Sequence, residues 1–228
     1  MDIAGLQKLT LLDSPGKLAC TVFLPGCNLR CPFCHNASLV LPGRQSFSMT
    51  QSELLDFLRN RKGKLDGVCI TGGEPTLYRD LPDLLREIRE LGFSIKLDTN
   101  GTRPEVLRTL MEENLLDYVA MDIKNSPQKY AATCGGKDVL EQARESVSIL
   151  EKSDLPHEFR TTVLHPFHTT DDLTAIGQWL SGTKQYFIQQ FVDSGDLLGE
   201  GQPLSPEEMQ NLLQAVRPYI PNAALRGI

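Results

Sequence analysis

Three cysteines fall close together in "GCNLRCPFCHN" (26–36), as Cys27, Cys31 and Cys34 with the spacing C-x3-C-x2-C. One loop of that length can wrap a single inorganic centre, and thiolates are the ligands that zinc and iron–sulfur clusters select. Structural zinc takes four protein ligands, usually from two separated pairs, and no second pair stands near these three. His35 would be the fourth zinc ligand, an awkward one because it adjoins Cys34 in the chain. A cubic four-iron cluster on the same three thiolates leaves one iron without a protein ligand and so open to another group.

The other three cysteines stand apart. Cys20 and Cys69 lie in apolar runs ("LACTVFL", "GVCIT") and Cys134 precedes Gly135-Gly136, so each reads as a lone buried thiol. Further polar residues gather in short motifs. "TGGEPT" (71–76) brings Gly72 and Gly73, which let backbone approach a ligand, and Glu74, an acceptor for an ammonium group. An ordinary turn with a glutamate at a helix start is the plainer reading. "LDTNG" (97–101) and "YVAMDIK" (118–124) carry Asp98, Thr99, Asp122 and Lys124, which also suit a plain turn and a rim ion pair. "FRTTV" holds Arg160, and "QQFVDSG" holds Gln189 and Asp193, either of which also suits a capping or solvent role. His165 and His168 of "LHPFHTTDD" lack a carboxylate partner at ligand spacing and are expected as solvated loop histidines.

The elements that must position these residues follow from periodicity. Apolar β-rich runs alternate with helical patterns: "KLACTVFL" then a helix over 50–61, "GVCIT" then 80–91, "SIKLDT" then 103–115, "YVAMDIK" then 138–152, "EFRTTVL" then 170–181, and "QYFIQQF" then 205–216. Thr50 with Glu53, Asp80, Pro104 and Ser205-Pro206 mark helix starts. Six βα units imply a parallel sheet with right-handed crossovers, too few for a closed eight-stranded barrel. The expected fold class is α/β, a partial (β/α)6 open barrel with a parallel sheet, as a single domain over 1–228. In such folds the reactive groups collect at the carboxyl ends of the strands, and every motif above falls there.

C-x3-C-x2-C with the aromatic Phe33 before the last cysteine resembles the radical S-adenosylmethionine superfamily, and "GGEP" after the next strand is similar to its second motif. The resemblance implies a [4Fe-4S] cluster on Cys27, Cys31 and Cys34 whose fourth iron is chelated by the amino and carboxylate groups of S-adenosylmethionine. It also implies that an electron from the cluster cleaves the sulfonium to a 5′-deoxyadenosyl radical. Gly72, Gly73 and Glu74 would then serve the methionine amine. Within the superfamily, "LDTNG" and "MDIK" look most like the glycyl-radical-enzyme activating proteins. By that likeness Asp98, Thr99, Asp122 and the Ala120 carbonyl would form a monovalent cation site, and Lys124 would reach the cofactor's carboxylate. His35 and Asn36 continue a similar "CHN" signature, and Arg160 matches the basic residue of the fifth strand. The sixth strand departs from the pattern, having "QQFVDSG" where some relatives place a histidine, and Gln189 and Asp193 would substitute for it in the adenosine contacts.

The compact chain, without a ferredoxin-like insert, looks most like the activating proteins of anaerobic ribonucleoside-triphosphate reductase. The implied reaction is abstraction of a glycine Cα hydrogen from that partner enzyme, with an electron donor such as flavodoxin or ferredoxin, exclusion of oxygen, and closure of the rim on the partner. A radical enzyme acting on a small molecule, and a non-catalytic iron–sulfur or zinc module, are the alternatives. A formal charge of −6 argues against nucleic acid as partner. The absence of a long apolar run and of a basic leader gives the expectation of a cytoplasmic protein away from membranes.

Overall fold

The computed structural model describes every residue except 35, 42, 45 and 46. Its centre is an eight-stranded sheet built on the runs that the alternation marked: β3 (Ala19–Leu24), β5 (Gly67–Gly72), β6 (Ser94–Thr99), β7 (Tyr118–Asp122), β8 (His157–Val163) and β9 (Tyr186–Gln190), all parallel and side by side. These strands are buried on both faces, as parallel strands flanked by helices must be.

Two strands extend the sheet beyond the six expected. β2 (Gly5–Thr10) pairs antiparallel with β3, and β10 (Ala224–Arg226) pairs parallel with β9. Neither has a legible apolar run: β2 is an edge strand with exposed Gln7, Lys8 and Leu9, and β10 is only three residues long. The short strands β1 (Asp2–Ile3) and β4 (Met49–Thr50) form a separate antiparallel pair. Among the described residues β2 and β10 each have one neighbour, so the sheet curves without closing.

The expected helices are present as α2 (Gln51–Arg59), α3 (Leu81–Glu90), α4 (Pro104–Glu112), α6 (Leu140–Glu151), α7 (Thr170–Trp179) and α8 (Pro206–Val216); α1 (Ala37–Val40) and α5 (Tyr130–Thr133) are short additions. Thr50 with Glu53 and Ser205 with Glu208 close capping boxes, and so do Thr169 and Asp172 at α7. Asp80 stands at the N-cap of α3 but makes no side-chain cap bond. Asp172 also accepts from Ser126 Oγ at 2.8 Å and from Lys129 Nζ at 2.6 Å, tying α7 to the loop after β7. At the far edge Arg226 on β10 donates through both Nη atoms to the buried carboxylate of Glu158 on β8, at 2.8 and 3.1 Å, and lies over the Phe187 ring. Among the described residues no helix is long and apolar enough to cross a membrane.

Candidate cluster and cofactor site

The loop after β3 carries the three cysteines into a cleft at the carboxyl ends of the strands, and Cys27, Cys31 and Cys34 all line it. Cys27 and Cys34 are half-buried and Cys31 is buried. The backbone N–H of Leu29 donates to Cys27 Sγ at 3.4 Å, and Asn100 Nδ2 approaches it at 3.8 Å. Such donors favour a thiolate. Without a metal, burial holds the Cys27 thiol up at about 11 and raises that of Cys34. Cys31 is lowered because the Cys134 thiol donates a hydrogen bond to it. Cys134 is therefore not a lone thiol: the turn after α5 packs it against the cluster loop, with the Arg30 N–H donating to its carbonyl at 3.4 Å. Cys20 and Cys69 are buried in the body of the fold. The three thiols share one cleft and donors from Leu29 and Asn100 aim at Cys27, the ligand chemistry of a cluster with one free iron, while among the described residues the side chains are not gathered into a closed metal site.

Gly72 and Gly73 bring backbone close to backbone. The Gly73 N–H donates to the Leu24 carbonyl and the Glu74 N–H to that of Gly26, both at 2.8 Å. A Cβ on Gly73 would overlap the Gly26 carbonyl, and one on Gly72, whose φ is +119°, would overlap Leu24. The partner in this approach is the cysteine loop itself, although both glycines also line the cleft.

Glu74 departs from its expected role. It is fully buried and does not line the cleft; its carboxylate accepts from Thr76 N at 3.1 Å, Thr76 Oγ1, Thr99 Oγ1 at 2.8 Å and Asn100 N at 2.6 Å. Burial raises its pKa despite these four donors. Fully buried behind the cleft wall and held by four donors, Glu74 fastens the loop after β6 to the loop after β5. Asn100, unnoticed in the sequence, extends the tie: its Nδ2 donates to Asn28 Oδ1 at 3.1 Å, and Asn28 Nδ2 donates to Thr102 Oγ1 at 2.8 Å.

The charged residues meet as an alternating row across the cleft floor. Lys96 Nζ lies 2.5 Å from Asp98 Oδ1, and Arg160 Nη2 lies 3.1 Å from Asp98 Oδ2. Arg160 Nε donates to Asp122 Oδ1, and Lys124 Nζ to Asp122 Oδ2 at 2.8 Å. Burial would raise Asp98 and Asp122, but the cations outweigh it and both lie below the usual carboxylate range. Burial would likewise depress Lys124 and Arg160, yet the facing carboxylates raise both.

This row does not fit the monovalent cation expected at Asp98, Thr99, Ala120 and Asp122. Both carboxylates are already matched by protein cations, Thr99 Oγ1 donates to Glu74 and accepts from Gly101 N at 3.1 Å, and Ala120 is wholly buried within a strand paired on both sides. Lys124, by contrast, lines the cleft with an ammonium of three donors and one partner among the described residues, and so fits a ligand carboxylate.

Phe33 and Asn36 line the cleft as expected. His35 lies outside the described residues. The Phe33 ring packs against Phe167 and edge-on to His168, with centroids 5.7 and 5.9 Å apart. His168 is buried rather than solvated: Leu164 N donates to its Nδ1 at 3.4 Å and its Nε2 lies 3.0 Å from the Lys124 carbonyl. It braces the backbone of Lys124, and burial lowers its pKa. His165 is exposed and pairs with Glu208 at 2.9 Å. Asp193 accepts from Gly195 N within its own turn and faces a separate cavity, so it contributes nothing to this cleft, and neither does Gln189. Thr162 does line it.

Residues 21–180 match the Radical SAM superfamily model. The chain is 33% identical over 237 residues to the "putative glycyl-radical enzyme activating enzyme" of Methanocaldococcus jannaschii, an alignment covering 99% of this chain and 96% of that one. It is 32% identical over 130 residues to the pyruvate formate-lyase-activating enzyme of Clostridium pasteurianum, covering 54% of this chain and 52% of that one. In fold it resembles Streptococcus suis SuiB, with a TM-score of 0.71 at 16% identity, covering 91% of this chain and about half (48%) of SuiB. A cluster loop, a Gly-Gly-Glu bracket and a cationic floor on one rim, in a chain that the superfamily model matches over most of its length, place it in a known group: it is a radical SAM enzyme, whose cofactors are a [4Fe-4S] cluster and S-adenosylmethionine.

Proposed function

We propose that the protein activates a glycyl-radical enzyme by taking a hydrogen atom from one glycine Cα of that partner, and that the partner is an anaerobic ribonucleoside-triphosphate reductase. The likeness to the Methanocaldococcus jannaschii protein, which runs almost the full length of both chains, carries the activating role. The choice of reductase rests on compactness: between Cys34 and β5 the described residues contain only α1, β4 and α2, with no ferredoxin-like insert. When bound, the cluster and S-adenosylmethionine supply a one-electron cleavage and a carbon-centred radical. The chain's own residues hold and orient. Cys27, Cys31 and Cys34 ligate iron, Lys124 takes the methionine carboxylate, and Phe33 and Asn36 line the wall beside it. Residues 1–228 act as one unit, in the cytoplasm, reduced by a small electron carrier such as flavodoxin or ferredoxin. The sheet, open between β2 and β10, leaves room for a partner's peptide loop to lie across the rim, which then closes to exclude water and oxygen.

The test uses anaerobically reconstituted protein, a reductant, S-adenosylmethionine and a candidate reductase with Cα-deuterated glycine. Mass spectrometry should find deuterium in 5′-deoxyadenosine. Unlabelled 5′-deoxyadenosine would move the target to another partner or to a small molecule, and none at all with an intact cluster would leave an electron-transfer role.

A further inference from the structure

Lys96 has no part in the chemistry outlined above, yet it is almost fully buried, with its side chain 4% exposed. It stands on β6 two residues before Asp98, so both side chains leave the same face of the strand. Its ammonium meets Asp98 Oδ1 at 2.5 Å and Cys69 Sγ at 3.9 Å, while Thr71 Oγ1 at 3.2 Å and Arg160 Nη2 at 3.1 Å take Asp98 Oδ2. An ammonium is not buried this way without a charge to answer.

We infer that Lys96 is the built-in counter-cation of the cleft floor: its ammonium serves Asp98 as a monovalent metal ion would, so that this chain binds S-adenosylmethionine without needing Na⁺ or K⁺. The inference rests on reading the cleft as the S-adenosylmethionine site. Lys96, Arg160 and Lys124 face Asp98 and Asp122, three positive charges against two negative, and the excess charge is at Lys124, where a carboxylate is wanted. A metal ion added to this row would place a further positive charge in a poorly solvated floor, against repulsion from three neighbours. Lys96 also lines a second cavity of 690 Å³ at the opposite mouth of the barrel, with Ser14, Lys17 and Asp117.

The experiment compares wild type with Lys96→Met and Lys96→Gln. Binding of labelled S-adenosylmethionine to the reconstituted holoprotein is measured by equilibrium dialysis in choline chloride and in potassium or sodium chloride at equal ionic strength. Thermal unfolding of the cluster-free proteins is followed in the same salts. Wild-type affinity should agree between salts to within about twofold, while Lys96→Met should bind about tenfold more weakly in choline and recover in K⁺. K⁺ should also raise the unfolding midpoint of Lys96→Met and leave that of wild type unchanged. A wild-type affinity that improves about tenfold on adding K⁺ or Na⁺ would overturn the inference. So would variants indifferent to the cation in both assays. If the wild-type holoprotein binds no S-adenosylmethionine in any salt, the reading of the cleft fails, and the unfolding series then decides the role of Lys96 alone. A variant that folds only with K⁺ present supports the inference, and one that folds in neither salt leaves the decision to Lys96→Gln and the wild-type salt series.

Discussion

Replacing Glu74 with glutamine keeps the side chain's size and removes one acceptor, and four donors converge on that carboxylate. The Thr76 and Thr99 hydroxyls can turn away from a new NH2 group, but the backbone N–H groups of Thr76 and Asn100, one on each oxygen, cannot. Glu74→Gln should therefore cost about 1–3 kcal/mol in urea unfolding. It should also slow cluster reconstitution, because Asn100 steadies Cys27. The carboxyls give the molecule a pH dependence whose sign can be worked out. Asp98, Asp122 and Asp172 are lowered on folding, so the unfolded chain takes up their protons first. Their contribution is present above the ordinary value of 3.8 and is lost as pH falls below it towards the folded values. Glu74 is raised, so its contribution runs the other way: it is full below 4.5 and is lost as pH rises through the folded value. The exposed Glu53, Asp196 and Glu208 are lowered too, so six groups against one predict a net loss of stability on acidification below about pH 4, read as a falling urea midpoint between pH 5 and pH 3. A midpoint that rose over that range would refute the assignment.

At the scale of elements, two capping boxes that look alike should behave differently. Glu53 closes its box on an exposed helix start, whereas Asp172 also holds Ser126 and Lys129. Asp172→Ala should cost about 2–3 kcal/mol, and Glu53→Ala, on a fully exposed side chain, should lower the urea midpoint less. Equal midpoints in urea would show that the link between α7 and the loop after β7 adds nothing. Gly73→Ala tests the bracket between β5 and the cysteine loop. The added Cβ would displace the backbone of Gly26 and crowd that of Cys27, so iron loading should fall sharply while the far-ultraviolet dichroism stays native. Much of the site was legible because Cys27, Cys31 and Cys34 are local in sequence, and because Asp98, Asp122 and Arg160 fall at strand ends. What stayed hidden was set by packing. His168 meets the Lys124 carbonyl across 44 residues, Asn100 meets Cys27 across 73, and Cys134 meets Cys31 across a turn that periodicity does not describe. The tie at Glu74 was hidden for the same reason, since its donors from Thr99 and Asn100 belong to another loop.

For the whole molecule, alternating apolar runs sufficed to mark six parallel strands, because each is buried on both faces and followed by a helix. The two outer strands escaped because an edge strand keeps polar residues and a three-residue strand has no period to show. Removing the Arg226 side chain should cost about 2 kcal/mol, since Glu158 would keep Tyr118 but lose its cation. Smaller losses would mean that water replaces the guanidinium. The separation of that pair also bears on biosynthesis. A ribosome delivers Glu158 well before Arg226, which lies 68 residues later. During that interval β8 holds an acid that resists leaving water, so the edge of the barrel beyond β7 should settle only after Arg226 has emerged. A nascent protein stalled before β10 should remain open to protease around β8 and β9, and so should its cluster loop, whose Phe33 and Cys34 rest on Phe167 and Leu198.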